Sequence, residues 1–352
     1  MRAHHIVAYF LCAGAILLPT GDGLLAMPKC MICHGKQDLA RVEETGRRIP
    51  LHVDESILKS SVHAARACTD CHVDIVDIPH QRARKVDCRR CHYSGNPVGA
   101  PDGDFYDEYE QSVHGLEVLR GNPDAPVCQD CHGTHDVLPT GATESRVYKV
   151  NRPRTCGRCH IETFAAYSQS VHGQALQEGN QDSPDCSSCH GEHGIKSAGG
   201  AESLLAGRDL VRTCSGCHGS KGVGSKYGIE SDRVSTYEHS FHGVATALGN
   251  RTVANCGSCH GYHDIHPDDD PRSSVHPDNI VKTCGKPECH PEASPRFASG
   301  RIHIDPTSKK SGILYYITRF FTILTVSTLG GLFLFIILDL FRRAKASGQK
   351  GK

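Results

Sequence analysis

The sequence predicts a mainly helical chain with extensive coil, almost no sheet and one transmembrane helix at its C-terminal end. Three observations predict it. Only 38% of the residues are hydrophobic, none is Trp, and much of the apolar content sits in the two terminal runs. The stretch between them therefore cannot assemble a layered apolar core from side chains alone. Nineteen cysteines recur in short, regularly spaced motifs, and the 19 residues from Phe320 to Leu338 carry no charge.

In chain order, residues 1–26 read as a secretory signal peptide: Arg2, an apolar run from Ile6 to Leu18, then "PTGDGLLA" with cleavage near Ala26. Cys12 lies inside the apolar run without the small residue that a lipoprotein site places before its cysteine, and it is given no role.

Residues 27–104 form an N-terminal module with three cysteine pairs: Cys30/Cys33, Cys68/Cys71 and Cys88/Cys91. Residues 105–297 form three repeated units with two pairs each: Cys128/Cys131 and Cys156/Cys159, Cys186/Cys189 and Cys214/Cys217, Cys256/Cys259 and Cys284/Cys289. The second cysteine of every pair is followed directly by a histidine: His34, His72, His92, His132, His160, His190, His218, His260 and His290.

Zinc ribbons use C-x-x-C pairs but take four ligands from two of them, and they do not require a histidine beside each second cysteine. Disulfides between cysteines this close constrain the unfolded chain little. A thioredoxin-like redox motif calls for a βαβ pattern that is missing. Covalent haem attachment accounts for all three residues at once: two thiols bind the vinyl groups of one haem and the adjacent imidazole takes its iron. Nine c-type haems are therefore expected. The ninth motif, "CGKPECH" from Cys284, has a loop two residues longer and is assigned by its place in the repeat.

The three units begin "SVHG", "SVHG" and "SFHG" at Ser112, Ser170 and Ser240. In each, a histidine precedes the first cysteine by 14 residues, a Tyr stands five residues before that histidine, and a Gly-Asn lies midway; the second pair starts 28 residues after the first. The glycines of "HG" and of Gly-Asn are expected at turns with positive φ. The constant 14 is read as the length needed to bring a ligand to a fixed place on an anchored ring. Between the second and third units lie 12 extra residues, the Gly/Ser/Lys-rich "GSKGVGSKYGIES", read as a surface-loop insertion.

A haem iron held by one imidazole has a sixth position to fill. Methionine is excluded in practice, because Met1, Met27 and Met31 are the only ones. The candidate distal ligands are His63, His80, His114, His135, His172, His193, His242, His263, His276 and His303, with His52, His239 and His266 weaker. His135, His193 and His263 follow a proximal histidine by only three residues, so each is expected to serve a neighbouring haem. With so little apolar side chain, the porphyrins themselves are expected to form the core. The formal charge of zero leaves Arg82, Arg84, Lys85, Arg89 and Arg90 for haem propionates or for a docking partner, and nothing points to nucleic acid.

Residues 298–312 form a linker and 313–341 the transmembrane helix, whose apolar 19 residues span roughly 28 Å, about one hydrocarbon core. The basic tail, 342–352, places the C-terminus in the cytoplasm and the haem domain in the periplasm, at the inner membrane. No histidine follows His303, so the helix cannot itself hold a b-type haem with the usual ligands. Collecting electrons from a membrane quinol then requires a partner, either an integral cytochrome b or a quinol-oxidising subunit.

The nine attachment motifs and the "S-[VF]-H-G … C-x-x-C-H-G-x-H" units resemble the multihaem c-type cytochromes of bacterial anaerobic respiration, the superfamily of pentahaem nitrite reductases and octahaem hydroxylamine-oxidoreductase-like proteins. The resemblance covers most of Met27 to His303. It implies electron transport with periplasmic carriers or reductases. Its enzymatic members keep one haem open, in the nitrite reductases often marked by Lys as proximal residue; all nine proximal residues here are His, so no catalytic site is assigned. A reductase of a small nitrogen or sulfur oxyanion and an extracellular electron conduit are the alternatives.

Overall fold

The computed structural model describes residues 27–349 other than 45, 201, 231 and 301. The expected signal peptide and Cys12 lie outside the described residues. Among these there are eighteen α-helices, most shorter than ten residues, and a single two-stranded antiparallel hairpin, Ala40–Val42 with Arg48–Pro50. Apolar burial is correspondingly small. Six described hydrophobic residues are buried, Ala125, Leu176, Leu210, Val211, Tyr237 and Ala298, against ten polar ones, most of them serines.

Two units divide the chain: Met1–Asp107 with Glu117–Asn151, and Glu108–Leu116 with Arg152–Lys352. The division runs through the first repeated unit. Its reason is visible within each unit. The segment carrying His135 belongs with His72, which it faces, and the short segment carrying His114 belongs with His160.

Each repeated copy opens with a seven-residue helix: Val113–Leu119, Val171–Gln177 and Phe241–Ala247. A serine caps it, buried in the first two copies. Ser170 donates its hydroxyl to the Tyr167 carbonyl at 2.7 Å and accepts the Gly173 N–H at 3.1 Å, and Ser112 does the same with Tyr109 and Gly115. The helix ends in a Schellman turn with Gly121, Gly179 or Gly249 at φ of 80°, 89° and 91°. There the following Asn N–H bonds back to the helix, as Asn180 does to the Ala175 carbonyl at 3.0 Å. The Asn side chain then accepts the N–H two residues on, in all three copies.

The glycines of "HG" differ from expectation. Gly115, Gly173 and Gly243 lie inside these helices with no positive φ; instead, a Cβ on each would stand 2.0 to 2.1 Å from the carbonyl oxygen of Tyr109, Tyr167 or Tyr237. Close backbone approach, not a turn, requires glycine there. The same tyrosines pin the far end of the loop. Tyr167 donates its hydroxyl to the Pro184 carbonyl at 2.7 Å and Tyr237 to that of Ala254 at 3.0 Å, each two residues before the next cysteine.

The insertion after Gly219 is a helix, Lys221–Tyr227, rather than a surface loop, and Gly228 ends it in the left-handed conformation. Tyr227 donates to Asn180 and Asp182 at 2.8 and 2.6 Å, and Lys226 pairs with Asp182, so the inserted helix docks on the Asn turn of the second copy.

At the C-terminal end, Ile313–Gln349 is one continuous helix, and Ile313–Arg343 within it is long and apolar enough to cross a membrane, with a mean hydropathy of 2.3 in its best window and none of it buried. Asp339 is paired with Arg342 and Arg343 at 2.9 and 2.6 Å, an end-of-helix cluster.

Candidate haem-binding histidine pairs

In most of the cysteine–histidine motifs, helical backbone brings the first cysteine, the second three residues on and the histidine four residues on to one face. Helices Cys128–His132, Cys186–His190 and Cys256–His260 are five residues long and consist of the motif itself. Their first turns are capped locally: Asp185 accepts the Ser188 N–H at 3.0 Å while Ser188 accepts that of Asp185 at 3.1 Å, and Asn255 and Ser258 repeat the exchange. Asp185 is fully buried, and Arg152 donates to it at 2.7 Å.

The ninth motif closes in the same way despite its longer loop. In the shorter motifs the histidine N–H bonds the first cysteine's carbonyl, at 2.9 Å in His72 and 3.0 Å in His92 and His160. His290 bonds that of Cys284 at 3.1 Å, with the two extra residues looped out between them.

Eight motif histidines each face a second histidine from elsewhere in their own unit. His34 faces His80, His72 faces His135 and His92 faces His63; His160 faces His114, His190 faces His263, His218 faces His172, His260 faces His303 and His290 faces His242. Their ring centres are 5.9 to 6.2 Å apart. His132 ends its helix in one unit, and His193 lies in the turn after Cys186–His190 in the other.

The spacing is a test of what the pairs can hold. Two metal–imidazole bonds of about 2 Å each, plus the reach from each nitrogen to its ring centre, add to roughly 6 Å. Interplanar angles run from 9° to 81°, as rotation about a shared nitrogen–metal–nitrogen axis permits. Among the described residues no cluster of three or more His, Cys, Asp or Glu is placed to hold a metal ion. A structural zinc site needs four protein ligands and a catalytic one three. A haem brings four nitrogens of its own and needs two more, the number each pair offers.

The eighteen described cysteines are all unbridged, which leaves them available for thioether bonds. Cys33, Cys131, Cys159, Cys217 and Cys289 are exposed, and the remaining thirteen are half-buried. All five exposed thiols are the second cysteine of their motif. The physical reason is the shortage of apolar side chain: six buried hydrophobic residues cannot wall in nine motifs from both sides. Exposure leaves these five sulfurs accessible to the covalent chemistry, which starts from a thiol a reagent can reach.

Several rings are held in the required tautomer. His34 donates from Nδ1 to the Leu51 carbonyl at 2.7 Å, His80 to that of Gln81 at 2.6 Å and His303 to that of Arg233 at 2.9 Å. A carbonyl only accepts, so Nδ1 carries the proton and Nε2 keeps its lone pair for a metal. Burial and the facing imidazole also favour the neutral ring in His172 and His114. Burial and then His218 push His172 down to about 4, and burial and then His160 lower His114. The Nδ1 of His72 is buried without a hydrogen-bond partner among the described residues.

His276 stands apart, receiving the Asp278 N–H at 3.2 Å on its Nδ1. His239 donates within its own helix to Ser235, and His266 lies 3.9 Å from Asp270.

Consecutive motifs are also spatial neighbours within each unit. The first cysteines touch through their thiols in Cys30 with Cys68, Cys88 with Cys128, Cys156 with Cys186 and Cys214 with Cys256. The shared hydrogen bond raises Cys88, Cys186 and Cys214, each acting as donor. The alternate steps join second cysteines to the following motif: Cys71 with Cys91, Cys189 with Cys217, Cys259 with Cys284.

Sequence reasoning missed two kinds of residue. Phe105 and Phe297 lie against the motif rings of His92 and His290, at 6.4 and 4.7 Å between ring centres. Ser145, Ser203 and Ser273, all buried, stand 11 residues ahead of the second motif in each copy. Aligning the three copies would have found the serines; no repeat marks the phenylalanines.

No family model matches the chain, nor does any curated protein or solved structure.

Proposed function

We propose that the chain is a membrane-anchored nonahaem c-type cytochrome that carries electrons between a membrane quinol-oxidising partner, such as an integral cytochrome b, and periplasmic carriers or reductases. One observation carries this reading: eight motif histidines each face a second imidazole at the separation a single metal requires, with two cysteines beside the first. When bound, each haem supplies a one-electron ferric/ferrous couple.

The chain's own part is binding and orientation. The cysteines would anchor each haem and the paired imidazoles would hold its iron, while backbone carbonyls set the tautomers of His34, His80 and His303. Such a pair would leave a bound iron no position for substrate, which supports a carrier over a reductase. The neighbouring motifs within each unit suit short electron steps. Oxidation of one quinol releases two electrons, taken up one at a time, and two protons, which leave at the partner's quinol site. The terminal helix and the basic residues after it support an anchor in the inner membrane with the haem domain outside.

The test is purification from membranes in mild detergent. Nine haems per chain, all low-spin in the ferric state, and reduction by a quinol analogue only when a partner co-purifies are expected. A chain without haem refutes the reading. One high-spin haem that binds cyanide or nitrite would make the protein a reductase instead.

A further inference from the structure

The pairs follow an interlacing rule. From the third site onward, odd-numbered sites draw their second histidine from just before the preceding motif: His63 for His92, His114 for His160, His172 for His218, His242 for His290. Even-numbered sites instead draw on a histidine three residues past the motif two places downstream, His135 for His72 and His263 for His190. For the eighth site no such motif remains, because the ninth is the last. His303, from the segment leading into the terminal helix, takes that place opposite His260.

His303 is not loosely presented. Its Nδ1 donates to the Arg233 carbonyl at 2.9 Å and lies 3.2 Å from the Thr236 hydroxyl. From it to Ile313, ten residues on, the backbone is a run of hydrogen-bonded turns. Ser308 bonds Asp305 at 3.1 Å, Ser311 bonds Ser308 at 3.0 Å, Gly312 bonds Lys309 at 3.2 Å and Tyr315 bonds Gly312 at 3.2 Å, while the Asp305 carboxylate accepts the Thr307 N–H and hydroxyl. At the ninth site the second histidine, His242, sits on a repeat helix and Phe297 lies against His290, so neither of its two histidines stands in the segment between residue 302 and the terminal helix.

We propose that His303 builds the membrane anchor into the eighth site, and that this site, not the ninth, is the one a membrane-embedded electron donor addresses. The inference rests on the haem reading above. In each exchange the partner's reduced carrier loses one electron and the eighth site gains it, with no proton or group transferred.

The experiment uses full-length protein purified with its membrane partner. His303→Gly is expected to turn one ferric haem of the nine high-spin, and added imidazole to restore it. A full haem complement that stays entirely low-spin in His303→Gly overturns the assignment while leaving the haem reading intact; a wild-type chain without haem removes both. His303→Met and His242→Met then place the same altered ligand, with its raised potential, at the eighth or the ninth site. In rapid mixing with a quinol analogue, the methionine-marked site is expected to be reduced ahead of the other haems in His303→Met and not in His242→Met. A lead in His242→Met, or identical timing in the two variants, overturns the proposal.

Discussion

The N-terminal "SSVHA" segment and the three "S-[VF]-H-G" segments do the same work with different backbones. His63 reaches His92 at 6.2 Å and His172 reaches His218 at 6.1 Å. In both regions the residue before the histidine donates to the strand of chain beyond a second facing histidine: Val62 to Val137 at 2.9 Å, Val171 to Ile265 at 2.9 Å. Yet His63 precedes its next cysteine by five residues and His172 by 14. The constant 14 is therefore not set by ligand placement. It is the length of a closed loop consisting of a capped helix, a Schellman turn, an Asn turn and a tyrosine hydroxyl on the carbonyl two residues before the cysteine. Where the tyrosine is replaced by Leu58, the glycine is replaced by Ala64 and the helix by turns. The pair of changes belongs together, since the glycine exists to let the tyrosine carbonyl in.

Breaking that link should produce the largest effect. Gly173→Ala puts a methyl 2.0 Å from the Tyr167 carbonyl, and a destabilisation of about 3 kcal/mol is expected for so tight a site. It should appear in thermal unfolding together with a new high-spin signal from the His172 pair. Ala64→Gly, the reverse change in the N-terminal region, should cost less than about 1 kcal/mol. Equal losses at the two positions would mean that the glycine serves flexibility instead.

A smaller loss is expected within the repeats. Asp185→Asn keeps the helix cap that Asn255 provides in the third copy but removes the charge of the buried carboxylate that Arg152 contacts at 2.7 Å, while the more exposed Glu192 stays 3.4 Å from the guanidinium. About 2 kcal/mol in denaturant unfolding is expected, whereas Asn255→Ala should cost only about 1 kcal/mol of capping energy. Tyr167→Phe, which removes the hydroxyl from the Pro184 carbonyl, should cost about 1 kcal/mol.

The smallest effect separates the third copy from the others. Asp270, held by the Arg272 guanidinium and by the Arg272 N–H, has its carboxyl lowered to about 2. A carboxylate pKa depressed in the folded state adds stability above its ordinary value of 3.8, and that stability is lost as pH falls through about 2. Thermal midpoints between pH 4 and 2 should drop slightly more steeply in the wild type than in Arg272→Gln, and parallel curves would dissociate Asp270 from acid stability.

The cysteine–histidine motifs were legible because their geometry is local. Two thiols and an imidazole must share one face of one helical turn, and "CQDCH" or "CSSCH" declares that in five letters. How far each thiol is covered was not legible, because cover comes from other segments: Cys131 and Cys159 are exposed while Cys189 and Cys259, in the same motif position, are half-buried. The terminal helix was equally plain, since a 19-residue run without charge has few other uses in a chain so poor in apolar residues. The glycine of "HG" was misread, because sequence shows that a glycine is required but not whether positive φ or a close neighbour requires it. The insertion was misread for a related reason: its glycines suggested a loop, while Tyr227 and Lys226 found partners in a turn some 45 residues away.

Composition and motif spacing alone established how many cysteine–histidine motifs the chain carries, which residues form them, and where its long apolar helix lies. Those are properties of neighbours along the chain, governed by helical periodicity and hydrophobicity. Which histidine meets which was settled only in three dimensions. Ten candidate rings are chemically alike, and the choice among them depends on how caps, turns and close backbone contacts fold one repeat across the next.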